Sequence, residues 1–287
     1  MRARAGTFVL LVTVGLALSG SAPLAQSPDP GELIDRAEAL SDQRHEMATL
    51  SRMIELYDRA LPHLDELSAE RQRTALNRLT QLHYERSSLR PGSGSEDRAD
   101  LNRAKDVGFR RLRRNDGFAE HEHGNFREAL SHVEDPAALL WTANAWGHIF
   151  RHAPLDGLAN VGKVLAMYER CMAIDETFWG GNCVHALGAL LVTTPAPLGG
   201  NRERGRELLD RAVEIDPEYL VNHTVRAAYL GFRYDALGNK NGVRDRELIE
   251  RELRIIEESP IGDWPFWNRI AKQRVPEIRR DLERLSD

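Results

Sequence analysis

The side chains that could do chemistry fall into four short groups. The run Glu120-His121-Glu122-His123 sets four potential metal ligands side by side. On a helix alternate residues point about 200° apart, so His121 and His123 cannot hold one ion together there, and no distant third ligand accompanies them. A solvated polar turn is the plainer reading, and no metal is expected. Trp141, Asn144, Trp146 and His148 share one strongly apolar segment, Tyr229, Arg233 and Tyr234 a later one, and Trp264, Trp267 and Asn268 stand near the end. Aromatic surface with a few polar handles is what a pocket for a small organic solute needs: apolar area supplies affinity and the donors set orientation. Trp141, Asn144, Trp146, His148, Tyr229, Arg233, Trp267 and Asn268 are therefore the candidate ligand-binding residues, with Arg233 suited to a bidentate contact with a carboxylate. Each has a plainer alternative. Trp141 and Trp146, five residues apart, cannot share one narrow stripe, so at least one faces a core, and Arg233 equally suits a surface ion pair.

Catalytic signatures are missing from the chain. It has no glycine-rich phosphate loop, no Gly-x-Ser-x-Gly elbow and no His-Glu-x-x-His helix, so neither an enzyme nor a cofactor is expected. The formal charge of −5 becomes −7 without Arg2 and Arg4, the wrong sign for a nucleic-acid partner.

The elements that must position these groups read as helices throughout. Three segments share one pattern, a large apolar residue three places before a small one: Tyr57 and Ala60, Tyr168 and Cys171, Leu209 and Ala212. This is the second helix of a tetratricopeptide repeat, in which the large residue fills the space between helices and the small one permits close approach. Cys171 and Ala212 are 41 residues apart, against about 34 for a standard repeat. The Pro/Gly run 193–201, with Gly199 and Gly200 serving loop geometry, accommodates the insertion. Apolar residues recurring at three and four predict helices over 32–42, 46–61, 69–89, 97–113, 136–150, 159–174, 178–191, 202–215, 219–236, 243–258 and 265–285, with a looser stretch over 115–134. No segment reads as a strand. The predicted fold is all-α, a tetratricopeptide-like superhelix of antiparallel helix pairs: an N-terminal helical repeat region over 26–90, a flexible connector over 91–96 and a tetratricopeptide-like region over 97–287.

Arg2 and Arg4 precede an apolar or small run from Phe8 to Leu18 and then small residues, the pattern of a secretory signal peptide over 1–25. The run is short of the roughly 20 apolar residues that cross a bilayer. The expected localisation is periplasmic or otherwise exported. In an oxidising compartment the only thiols, Cys171 and Cys183, either bridge the turn between two helices or sit as two separately buried small residues.

Several fragments together resemble the T component of tripartite ATP-independent periplasmic (TRAP) transporters. They are Ala37-Glu38-Ala39-Leu40 with Gln43-Arg44-His45, the helix over 54–61, Ala138-Leu139-Leu140-Trp141 with Ala145-Trp146-Gly147, Pro197-Leu198-Gly199-Gly200-Asn201, and Trp267-Asn268-Arg269-Ile270-Ala271-Lys272. Their order matches over nearly the whole mature chain. The resemblance implies a secreted, tetratricopeptide-like accessory protein that associates with a periplasmic solute-binding subunit, handles an apolar or carboxylate solute in a cleft among its helices, and self-associates into a homo-oligomer. Ser21 stands where some members carry a lipid-anchor cysteine, which puts membrane tethering in doubt. The competing expectation is a generic secreted scaffold for protein–protein interaction in the cell envelope.

Overall fold

The structure, a computed structural model, describes residues 29–90, 94–235 and 238–286. The expected signal segment and residues 91–93 of the expected connector lie outside the described residues. The described end of that connector is helical instead. A helix begins at Ser95, where Glu96 and Asp97 place negative charge on its N-terminal turn.

Among the described residues the fold is all-α apart from one small hairpin. In chain order the helices are α1 (Pro30–Glu38), α2 (Met47–Ala60), α3 (Ala69–Leu89), α4 (Ser95–Leu112), α5 (Asp116–His121), α6 (Phe126–Ser131), α7 (Pro136–Ile149), α8 (Pro154–Ile174), α9 (Phe178–Thr193), α10 (Arg202–Ile215), α11 (Leu220–Gly231), α12 (Arg246–Glu258) and α13 (Pro265–Arg284). Side-chain caps explain many of the starts. Ser68 accepts from Arg71 N, Asp135 from Ala137 N and Ala138 N, Asn201 from Arg204 N, and Asp245 from Leu248 N, each satisfying a donor the helix cannot. Pro136, at a position where its missing N–H costs nothing, reinforces the start of α7.

Consecutive helices pack as pairs, α1 with α2, α3 with α4, α7 with α8, α9 with α10 and α11 with α12. The large and small residues read from the sequence are the pivots: Tyr57, Ala60, Tyr168, Cys171, Leu209 and Ala212 are all buried. α7 is central, touching α3, α4, α8 and α9, and every residue from Ala138 to Trp146 is buried. One continuous apolar core runs from α1 through α9 and takes in Tyr219, Phe266, Trp267 and Ile270; a smaller one joins α11, α12 and α13. The C-terminal helix α13 thereby closes back onto α3, with the rings of Trp267 and Tyr84 5.7 Å apart and the Arg44 guanidinium 5.5 Å from the Phe266 ring.

Two sequence expectations need correction. The helix expected over 219–236 stops at Gly231, whose added Cβ would lie 2.2 Å from Ile249 Cγ1, and the chain turns into β1 (Phe232–Tyr234) paired antiparallel with β2 (Lys240–Val243). Three residues with a register shift after Arg233 are too short to show alternation at period two, so no strand signal was there to read. At the start of α9, Trp179, Gly180 and Gly181 all take positive φ (53°, 66° and 76°), a left-handed turn ahead of the regular helix. The looser stretch 115–134 resolves into α5 and α6.

Candidate functional site

Between α3, α7, α8, α9, α11 and α13 the helices leave a cavity of about 550 Å³, within the ordinary range for a small-molecule site. Its waist is apolar: Gly147, Val161, Ala186, Leu190, Val225 and Ala228 line it. Small residues dominate this belt, so helices that pack closely elsewhere leave space here.

The floor is polar but self-satisfied. Tyr168 donates to Asn144 Oδ1 (2.7 Å), Asn144 Nδ2 reaches Asn182 Oδ1 (3.4 Å), and Asn182 Nδ2 reaches Tyr219 Oη (3.0 Å). His185 Nδ1 lies 2.7 Å from Asn222 Oδ1, and Asn222 in turn donates to the carbonyls of Gly180, Ala212 and Asp216. Burial pushes His185 down to about 4. Burial, reinforced by the charges of Arg151 and Arg274, pushes His148 down to about 3. Both imidazoles are neutral across the physiological range. Burial likewise pushes the Tyr84 phenol up to about 12 and raises that of Tyr229.

Charge appears only towards the mouth, where Arg151, Leu158, Gly238 and Glu277 are exposed. Arg151 is tied to the buried Asp97 (2.9 Å), which also meets His152 Nε2 (2.7 Å) and the Ser87 hydroxyl. Lys240 is tied to Asp281 (2.7 Å), and Arg274 pairs with Glu277 (3.0 Å). Two leucines on the first turns of α8 stand exposed, Leu158 on this rim at 49% and Leu155 at 82%.

Of the residues nominated from the sequence, Asn144, His148, Tyr229 and Trp267 converge on this cavity. Four others lie elsewhere. Trp141 stacks behind Trp267 (6.3 Å, 8°) and edge-on to Trp179 (5.1 Å), one layer into the core. Trp146 packs on Phe109 (5.2 Å) and Phe126 (6.3 Å), on a different side of α7. Both tryptophans are therefore core residues and neither lines the groove. Arg233 is exposed on β1 away from the cavity wall, because strand alternation turns it opposite to the cavity-lining Tyr234 after the buried Phe232. Asn268 is wholly buried as a connector: its Oδ1 accepts from Leu220 N (2.8 Å), and its Nδ2 donates to the carbonyls of Glu218 and Ile261 (2.8 Å each).

Gly199 takes φ +97°, and a Cβ on Gly200 would lie 1.7 Å from the Thr194 carbonyl oxygen. The two glycines fold the insertion so that Thr194, Pro195 and Leu198 complete one wall. Cys171 and Cys183 are bonded, Cα to Cα 6.1 Å, tying α8 to α9 beside the left-handed turn. The Glu120–His123 run is engaged in local contacts: His121 Nδ1 lies 2.9 Å from the Gly117 carbonyl, its ring stacks on His132, and Glu122 pairs with Arg113 (2.6 Å).

Sequence reasoning missed Tyr84, Arg151, Tyr168, His185 and Arg274. For Arg274 a signal existed: it follows Trp267 by seven residues, so both fall on one face of α13. The others come from helices that the chain brings together only on folding.

No helix among the described residues is long and apolar enough to cross a membrane. No curated protein matches the chain. The sequence profile of the TRAP transporter T-component matches residues 95–240, about half of the chain and most of the cavity wall, though Tyr84 and all of α13 lie beyond it. A helical scaffold built around a solute-sized cavity, carrying that profile over α4 to β2, belongs to the TRAP transporter T-component family, a family of transport accessory subunits rather than enzymes.

Proposed function

We propose that this protein works in the periplasm as an adaptor that associates with the solute-binding subunit of a TRAP transporter and encloses a small apolar or carboxylate solute in its central cavity. The observation that carries this reading is the cavity itself. Closely packed helices lose dispersion and burial wherever they are held apart, so about 550 Å³ of space lined by small apolar residues and braced by a neutral polar floor is a cost to folding that a guest offsets. The exposed leucines support the association. Leu155 and Leu158 are two of the three large hydrophobic side chains that stand exposed among the described residues; Leu158 lines the mouth and Leu155 precedes it by three residues on α8, so a partner covering them would also shield solute from water.

The test has two arms. Periplasmic pull-down with the tagged chain recovers a solute-binding subunit, and Leu155→Asp with Leu158→Asp abolishes that recovery. A thermal-shift screen across organic acids and neutral lipids raises the melting temperature for solutes that fit. Failure of capture together with a flat screen would overturn the reading.

A further inference from the structure

We infer that the cavity is a head-group-selective site for an amphiphilic monocarboxylate, with the carboxylate at the Arg274–Tyr229 side of the mouth and the apolar body pointing inward. The inference rests on the proposed solute-binding role and narrows it to one chemical class. The wall carries three cations, Arg151, Lys240 and Arg274, against one carboxylate, Glu277, in a chain whose formal net charge is −5. Each of the three cations has a carboxylate partner, and what separates them is how firmly that partner holds. Arg151 and Lys240 are held by Asp97 and Asp281. Arg274 has only Glu277, one helical turn away and 52% exposed, in an i,i+3 pair of the kind that contributes little in water. A ligand carboxylate can take over that guanidinium with two parallel hydrogen bonds. Beside it the Tyr229 hydroxyl has no hydrogen-bond partner among the described residues, although its ring is fixed by stacking on Tyr234 at 5.6 Å.

Among the described residues the opposite end carries no cation, and its one unpaired donor is the indole N–H of Trp267. Tyr168, Asn144, Asn182 and His185 spend their hydrogen-bonding groups on one another and on Tyr219 and Asn222. The face of α13 expresses the same polarity in one dimension: Trp267, Ile270, Ala271 and Arg274 follow at three- and four-residue spacing, running from an indole to a cation over about 10 Å. A body of matching length lies along that stripe with its charge at the wet end. A second carboxylate on the far end would be stripped of water with no cation to meet it, a cost that one neutral indole N–H does not offset.

The experiment measures binding of four probes of one chain length to the full chain by isothermal titration calorimetry: octanoate, 1-octanol, octylamine and the dicarboxylate suberate. Octanoate binds about tenfold tighter than octanol, and suberate and octylamine bind more weakly still. Arg274→Gln brings octanoate to the octanol level while leaving octanol unchanged, Tyr229→Phe weakens octanoate alone, and Arg233→Gln changes nothing, with circular dichroism confirming that each variant is folded. Equal affinity for octanoate and octanol, tight binding of suberate, or an Arg274→Gln variant that keeps its preference would overturn the head-group site. Octanol binding without charge preference would do so while leaving the solute-carrying role intact, whereas no binding by any probe together with a flat thermal-shift screen would remove both.

Discussion

Two of the places where this molecule brings arginines and carboxylates together do opposite things. Under α1 and α2, Glu85 is fully buried on α3, salt-bridged to Arg44 (3.3 Å) and bonded by Gln81 Nε2 (2.7 Å). Arg78 beside it reaches Glu38 (3.0 Å), which also accepts from Tyr57 (2.7 Å). Burial pushes the Glu85 carboxyl up, and the charges of Arg44 and Arg78 oppose that rise. Every charge there has a counter-charge within the fold, so the cluster is closed to solutes. At the cavity mouth the cations also have partners, but the least committed of them, Arg274, has only an exposed one and faces space. The residue types are the same; the count of partners and the presence of room decide whether an arginine braces helices or meets a guest.

The largest effect expected from breaking this contrast is at the closed cluster. Glu85→Ala strands Arg44, while Arg78 keeps Glu38, and costs about 3–5 kcal/mol in urea unfolding; the octanoate preference of the surviving folded protein is unaltered. A smaller loss, about 2–4 kcal/mol, follows from Cys171→Ala with Cys183→Ala, because the tie between α8 and α9 is removed. Gly180→Ala costs about 1–3 kcal/mol, since the residue sits at φ +66° and the new methyl would lie 2.9 Å from Tyr219 Cδ1; chemical denaturation reads it directly.

Acid titrates the cavity itself. His148 and His185 have folded values of about 3 and about 4, below the unfolded value of 6.5. Between those limits the unfolded chain binds protons that the folded one refuses, so stability is full above 6.5 and falls as pH drops towards 4 and 3. Each histidine steepens the decline by about 1.4 kcal/mol per pH unit, and His185→Gln flattens it by one histidine's share in denaturation midpoints compared at pH 7, 6 and 5. The smallest effect on stability sharpens the comparison most. Arg274→Gln leaves the unfolding midpoint unchanged within about 0.5 kcal/mol, because its pair is exposed, yet it removes charge selectivity.

Much of the scaffold was legible residue by residue. Tyr57 with Ala60, Tyr168 with Cys171 and Leu209 with Ala212 announce buried helix contacts because side chains three apart share a face whatever the rest of the chain does. Helix starts at 69, 136 and 202 followed from apolar spacing, and the structure adds their cause, the caps Ser68, Asp135 and Asn201. The site was half legible. Aromatic and amide residues at Asn144, His148, Tyr229 and Trp267 were nominated for their chemistry and do meet at the cavity. Trp141, Trp146, Arg233 and Asn268 have the same chemistry and turn elsewhere, since side-chain type carries no information about which side of an element another element will cover.

By itself the sequence determined that the chain is helical, where most helices begin, which residues interlock them and that catalytic signatures are missing, all properties governed by contacts within a few residues. Only the tertiary structure decided that α13 folds back against α3, that Tyr84, Tyr168 and His185 face one space with Trp267, and that Arg274 rather than Arg233 stands at its mouth. Those outcomes depend on the angle at which helices far apart in the chain cross, and that angle is set by the summed packing of whole faces, which no short stretch of sequence contains.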